Sequence, residues 1–105
     1  MYIYNVTVNI DEDIAQDWVQ WMSSVHIPEV MATGKFMEAK MSRVMVEEQA
    51  GITYSIQYTV EDMPTLLDYN ENHAPALQEK HTSRYKDKYV AFRTVLEVVE
   101  THTKK

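Results

Sequence analysis

Apolar and polar side chains alternate in two nine-residue segments of the chain, residues 2–10 and 52–60. A period of two residues is typical of a β-strand that buries one face and exposes the other. The even-numbered side chains are the apolar ones in both segments, so we expect these faces to lie against helices. Two further strands fit residues 36–47 and 89–99, which are partly apolar on both sides.

Both alternating segments end at acidic residues, and apolar residues at helical spacing follow. Asp11 and Asp13 precede a stripe that contains Trp18 and Trp21, and Asp62 precedes the second helical region. Carboxylates at the start of a helix accept hydrogen bonds from its free N–H groups and interact favourably with the helix dipole. We therefore expect a helical region to begin at these acids after each alternating strand.

Prolines and glycines predict where the helical regions break. The residue before a proline avoids the α conformation, so Pro28 predicts that the first helix stops or kinks near residues 26–27. A short helix that Gly34 ends should follow. Pro75 predicts another break in the second helical region, and residues 49–51 predict a hairpin turn between the second and third strands.

The resulting order is β-α-β-β-α-β, and the second half of the chain repeats the first. Residues 4–10 align with residues 54–60, and residues 26–30 resemble residues 73–77. Two such halves predict an α+β ferredoxin-like sandwich in which each crossover is right-handed. We expect a four-stranded antiparallel sheet with the first and third strands in its centre and the helices on one face.

The predicted sheet has a second face that the helices do not cover, and Asn5 and Gln57 lie in its polar centre. We assign the more apolar side of the last strand to the helices, namely residues 90, 92, 96 and 98. The other side of that strand, which includes Arg93, is also partly apolar and should face away from the helices. A strand that is apolar on both sides needs cover on both sides. The pattern therefore predicts a homodimer whose sheets face each other as a dimeric α/β barrel.

The composition is that of one globular domain. The chain has 105 residues, of which 45% are hydrophobic and 25% are charged. We expect a single domain at residues 1–100 and a solvated tail at residues 101–105. The net charge of −6 argues against a nucleic-acid partner. Because no membrane-spanning run, signal peptide or cysteine is visible, we expect a cytoplasmic protein with no membrane partner, disulfide or thiolate metal site.

Histidines are the first candidates for chemistry because their side chains titrate near neutral pH. His26 and His73 lie at matching points of the two halves, each two residues before a proline. They either satisfy free N–H groups at a helix break or bind a ligand and move a proton. In an enzyme, we expect His73 to be the catalytic proton carrier, aided by a tyrosine hydroxyl.

No metal site is expected from the spacing of the histidines. His73 and His81 are separated by eight residues, which is about 12 Å along a continuous helix. That distance is too great for both imidazoles to ligate one metal ion. The residues indicate no other cofactor either.

A small-molecule ligand has two candidate locations in this fold. One is the cleft between the sheet and the helices, near Tyr58, His73 and His81. The other is the space between two facing sheets, near Asn5, Gln57 and Arg93. Both locations combine apolar walls with a few polar groups, as small-molecule sites do.

Arg93 has two interpretations because an arginine in the middle of a strand needs a partner when it is buried. It either forms a salt bridge with Glu38, Glu47 or Glu97, across strands or subunits, or it anchors a carboxylate or phosphate of a ligand.

Several segments of the chain resemble a family of small bacterial proteins described as a domain of unknown function. The matching segments are residues 4–8, 18–22, 26–30, 33–36, 54–58, 73–77 and 92–94. The family is related to the dimeric α/β-barrel (ferredoxin-like) superfamily, which includes cofactor-independent oxygenases, haem-degrading enzymes and isomerases. Haem-degrading members pair an asparagine of the first strand with a tryptophan and with a histidine of the second helix. Asn5 and His73 lie in those regions, but both tryptophans here lie in the first helix.

The residues and the resemblance leave two functions open. The first is a small-molecule-binding homodimer or cofactor-independent enzyme, with His26, Tyr58 and His81 among its ligand-binding residues. The second is a non-catalytic homodimeric structural or interaction module, in which the same polar residues serve only folding and assembly. Fold resemblance does not choose between them.

Overall fold

The structure, a computed structural model, describes residues 1–47 and 50–105 of the chain. Within these residues, four strands form one antiparallel sheet in the order β2-β3-β1-β4. The strands are β1 (Tyr2–Ile10), β2 (Glu38–Arg43), β3 (Ile52–Val60) and β4 (Tyr89–Glu97). The predicted ferredoxin-like α+β fold is confirmed, with the two alternating segments as the central strands.

The helices follow the predicted order, and both predicted breaks are present. They are α1 (Ala15–Trp21), α2 (Ile27–Ala32), α3 (Met63–Asn72) and α4 (Ala74–Tyr85). A widened π-helical turn, Met22–His26, joins α1 to α2. Because Pro28 lacks an N–H, it cannot donate the regular hydrogen bond to the preceding turn, and the helix is distorted there.

Strand lengths differ from the sequence expectation only at the edges of the sheet. The second strand was expected over residues 36–47 but covers only Glu38–Arg43, and the last strand ends at Glu97 instead of residue 99. Gln49 of the predicted hairpin turn lies outside the described residues. Edge strands pair on one side only, so side-chain alternation predicts their ends less well than those of central strands.

The two acidic helix starts are not equivalent. Asp62 Oδ1 accepts hydrogen bonds from the Thr65 N–H (2.9 Å) and hydroxyl (2.6 Å), as expected of a capping residue. Asp11 forms no such bond, so the capping prediction is wrong there. The chain enters α1 through a 3₁₀ turn at Glu12–Ile14, which a main-chain bond from Ile14 N–H to Asp11 O closes instead (3.2 Å).

Two glycines adopt left-handed backbone conformations, and they differ in the space around them. Gly34 has φ +75° after α2 and open space where a Cβ would lie. Gly51 has φ +80°, and a Cβ there would lie 2.7 Å from the main-chain oxygen of Ile10. Alanine at either position loses about 1 kcal/mol through the unfavourable φ, but only at residue 51 does a backbone clash add to that loss.

We expect Gly51→Ala to lower the free energy of unfolding by about 3 kcal/mol and Gly34→Ala by about 1 kcal/mol. Urea denaturation of the two variants at the same protein concentration measures the difference. Equal losses would show that the approach of residue 51 to β1 does not strain the fold.

The hydrophobic core lies between the sheet and the helices. Its largest fully buried side chains are Ile10, Trp18, Val30, Ile56, Val60 and Leu66. The even-numbered faces of β1 and β3 supply the sheet side of this core, as the alternation predicts. Burial of these side chains is the main favourable term that holds the two layers together.

The structure corrects the prediction of which side of β4 lies against the helices. Val8 pairs with Ala91 and Val6 pairs with Arg93, so the odd-numbered residues of β4 share the helix side of the sheet. The apolar strip, Val90, Phe92 and Leu96, therefore points away from the helices and is 70%, 60% and 43% exposed. The prediction was wrong because both sides of this strand are partly apolar, and register with β1 decides which side faces inward.

The open face of the sheet, opposite the helices, has a polar centre. The Ser55 hydroxyl donates to Asn5 Oδ1 (2.6 Å), and the Asn5 amide donates to Thr7 Oγ1 (3.1 Å). Gln57 pairs with Asn5 in the neighbouring strand and lies on the same face. The apolar strip of β4 flanks this polar network, so the open face combines a bonded polar centre with an uncovered apolar edge.

Candidate functional site

A partly open cavity of about 40 Å³ lies between the sheet and the helices. This volume is enough for roughly three water molecules. Apolar side chains of β1, β3 and the π-helical turn form part of its wall. Its polar lining consists of His26, Tyr58, Gln78, His81, Tyr89 and Arg93.

His81 is buried in this lining, with 8% of its surface exposed. The spacing Leu77–His81–Tyr85 on α4 places it on the buried stripe of that helix. The Trp18 indole N–H donates to His81 Nε2 at 2.9 Å. Because Nε2 is the acceptor, the neutral imidazole carries its proton on Nδ1.

Burial lowers the pKa of His81 to about 4, and the electrostatic interactions with His26 and Arg93 act in the same direction. At neutral pH the ring is therefore uncharged. It presents an Nδ1–H donor, while its other nitrogen is held by the indole of Trp18.

His26 lies at the end of the π-helical turn, beside His81. Its ring stacks on Trp21 at 5.2 Å and lies 5.8 Å from the ring of His81, centroid to centroid. Its Nδ1 is buried and forms no hydrogen bond. Burial lowers the pKa of His26, and Glu29 opposes this effect. An unpaired buried nitrogen costs about 1–3 kcal/mol of stability, which is unusual where folding alone determines the side chain.

Arg93 lies on the helix side of β4, which corrects its predicted facing. It lines the cavity, and its side chain is solvent-exposed. Among residues 1–47 and 50–105, no carboxylate lies within ion-pair distance of its guanidinium. Of the predicted glutamate partners, Glu97 accepts a hydrogen bond from Tyr2 instead (3.3 Å). The charge of Arg93 therefore stays available to the cavity.

Tyr58 supplies a neutral hydroxyl on the β3 side of the cavity. Burial raises its pKa well above the ordinary tyrosine range, and the nearby Tyr69 and Tyr4 raise it further. The hydroxyl consequently stays protonated throughout the physiological range. It offers a hydrogen-bond donor and no charge.

The structure divides the predicted site residues into three groups. The cavity group contains His26, Tyr58, His81 and Arg93. Asn5 and Gln57 lie on the open face, on the other side of the sheet. His73 lies at the break between α3 and α4, where its ring stacks on Tyr69 at 6.2 Å, and it does not line the cavity.

The helical spacing predicts that both tryptophans lie in the core, and it does not indicate their contact with the histidines. Trp18 is fully buried and also bonds to His81, which is 63 residues away in the chain. Trp21 stacks on His26 and lies 5.6 Å from the guanidinium carbon of Arg84. No local pattern predicts the Trp18–His81 bond or the Trp21–Arg84 contact, because only the packing of α1 on α4 brings those residues together.

Two features are absent from the described residues. No group of three or more His, Cys, Asp or Glu side chains is placed to hold a metal ion. No helix in the described part of the chain is long and apolar enough to cross a membrane.

Residues 1–99 match the family model of a domain of unknown function, DUF4286. The chain belongs to this family. The match covers both strand–helix halves and every cavity residue. No curated protein matches the chain.

Solved structures share the fold at low sequence identity. A putative antibiotic biosynthesis monooxygenase from Bacillus cereus is 10% identical, with a TM-score of 0.70 over 98% of this chain and 97% of that one. A dimeric ferredoxin-like protein from an uncultured marine organism is 11% identical (TM-score 0.68, 99% and 100% covered). SnoaB from Streptomyces nogalater, a cofactor-independent oxygenase, is 7% identical (TM-score 0.67, 98% of each chain). At these identities the likeness shows the fold alone.

Proposed function

We propose that this DUF4286 protein binds a small organic molecule in the cavity between its sheet and helices, as a cytoplasmic homodimer and without a resident cofactor. The observation that carries the proposal is the buried, unbonded Nδ1 of His26 beside that cavity. A native fold rarely leaves such an atom unpaired without a use for it. That a structural neighbour is described as a cofactor-independent oxygenase supports an enzymatic form of the same proposal.

The cavity residues suit proton transfer as well as binding. His26 and His81 are adjacent and uncharged at neutral pH, and Tyr58 offers a protonated hydroxyl. Neutral imidazoles accept and donate protons near physiological pH when a bound ligand raises their pKa. The proton-carrier role predicted for His73 stays a prediction, and it would act outside this cavity.

The homodimer is proposed to form through the open face. Phe92 and its neighbours in the apolar strip are more exposed than a monomer's surface favours. The strip continues into the network of Asn5 and Ser55, which a second copy would cover together with Gln57. Structural neighbours described as dimeric ferredoxin-like proteins support this arrangement.

Two observations favour the alternative, a non-catalytic homodimeric module. The cavity holds only about 40 Å³, and His81 already has a partner in Trp18. In that case His26 would be a packing residue whose unpaired nitrogen the fold tolerates.

A thermal-shift screen of metabolites and haem against three forms of the protein separates the two functions. We expect a compound that raises the Tm of the wild type and of His73→Ala, but not that of His26→Leu. His26→Leu itself should not lower the Tm, because it removes a buried unpaired nitrogen. If no compound raises the Tm in a way that depends on His26, the non-catalytic module is favoured. If His73→Ala alone loses the rise in Tm, the binding site lies at the α3–α4 break instead.

A further inference from the structure

We infer that the ligand of the cavity carries a carboxylate or similar oxyanion, held between the guanidinium of Arg93 and the Nδ1–H of His81. This inference rests on the proposed function, and it names the chemical class of the ligand.

The charge of the cavity lining favours an anionic ligand. Among the described residues that line the cavity, Arg93 carries the formal charge at neutral pH, and no aspartate or glutamate is present. Its guanidinium has no carboxylate partner in the described part of the chain. An arginine that lacks a carboxylate partner and lies beside apolar walls favours an anion with planar oxygens, which it binds by two parallel hydrogen bonds.

The tautomer of His81 independently favours a ligand that accepts a hydrogen bond. Trp18 donates to Nε2, so the proton of the neutral ring lies on Nδ1. In the described residues no protein acceptor bonds to that N–H, although the residue is 92% buried and lines the cavity. The atom of the ligand that contacts His81 is therefore a hydrogen-bond acceptor. A carboxylate oxygen satisfies His81 and Arg93 at once.

The size of the cavity limits how much of the ligand enters it. A volume of about 40 Å³ replaces roughly three water molecules, which is about the size of one carboxylate group. Because the cavity is partly open and Arg93 is exposed, the remainder of the ligand extends outward past that side chain.

Acetate and acetamide are the probes, because they have nearly the same shape and differ in charge. Long-range ¹H–¹⁵N NMR spectra of the apo protein should show His81 with its proton on Nδ1. Acetate should shift that signal in a saturable titration, and acetamide should bind at least about tenfold more weakly, since hydrogen bonds to charged groups are the stronger ones.

Arg93→Gln should weaken acetate binding by about tenfold. Arg43→Gln is the matched control, because Arg43 lies on the helix side of the opposite edge strand and does not line the cavity. Both side chains are exposed, so neither substitution should unfold the protein, and circular dichroism verifies this.

Equal affinities for acetate and acetamide, or equal effects of the two arginine substitutions, would overturn the inference. If a neutral metabolite from the thermal-shift screen shifts the His81 signal and acetate does not, the inference fails while small-molecule binding stands. If no compound in the screen depends on His26, the proposed function fails first.

Discussion

We expect Phe92→Asp to convert the proposed dimer into a monomer of 12.3 kDa. Phe92 lies at the centre of the apolar strip and is 60% exposed in the protomer. In a dimer that covers the open face, an aspartate there would be buried without a partner, at a cost of several kcal/mol. Light scattering at micromolar concentration should give twice 12.3 kDa for the wild type and 12.3 kDa for the variant.

Leu67→Asp is the matched control. Leu67 is 58% exposed, nearly the same as Phe92, but it lies on α3 and away from the open face. Its substitution should leave the dimer intact. A wild-type mass of 12.3 kDa, or dissociation caused equally by both substitutions, would contradict a dimer formed through the open face.

Acidification from pH 6.5 to pH 4 lowers the free energy of unfolding through His81. The pKa of its folded form is about 4, against 6.5 in the unfolded chain. The unfolded chain therefore takes up the proton first as the pH falls. The contribution of His81 to the free energy of unfolding is fully present above pH 6.5 and is lost progressively down to about pH 4. A pKa shift of this size corresponds to a loss of about 3 kcal/mol in the free energy of unfolding. The lowered pKa of His26 acts in the same direction.

Urea denaturation between pH 7.5 and pH 4, at one protein concentration, measures this loss. His81→Gln should flatten the dependence in that window, and His102→Gln, which changes an exposed histidine of the tail, should not. The carboxyl groups of Asp62 and Asp68 also have lowered pKa values, but their effect falls below the ordinary aspartate pKa of 3.8. The same slope in both histidine variants would exclude His81 as the source.

Much of the fold is readable from local patterns. The alternation in β1 and β3 predicts both strands to the residue, and Pro28 predicts the distortion at the end of α1. These features are local because side-chain alternation and the missing proline N–H act within a few residues of the chain. The internal repeat then restricts the topology to the β-α-β-β-α-β order.

The candidate site was predicted only in part. Tyr58 and His81 were placed together in the cleft, and both line the cavity. Arg93 was predicted on the opposite side of the sheet. The side of β4 that carries the apolar strip is the more hydrophobic one, so the sequence predicts that this side is buried against the helices. Trp18 was predicted to be a core residue, which is correct. No local sequence pattern indicates that its indole N–H determines which nitrogen of His81 carries the proton.

The amino-acid order alone settles the strands, the helices and their breaks, because these depend on contacts between near neighbours in the chain. The bond between His81 and Trp18 joins residues far apart in the chain, and the side of the sheet on which Arg93 lies depends on the register of β4 against β1. A shift of one residue in that register would exchange the two sides of the strand. That pairing directs Arg93 into the cavity and Phe92 to the open face, so it decides where a ligand and a second copy would bind.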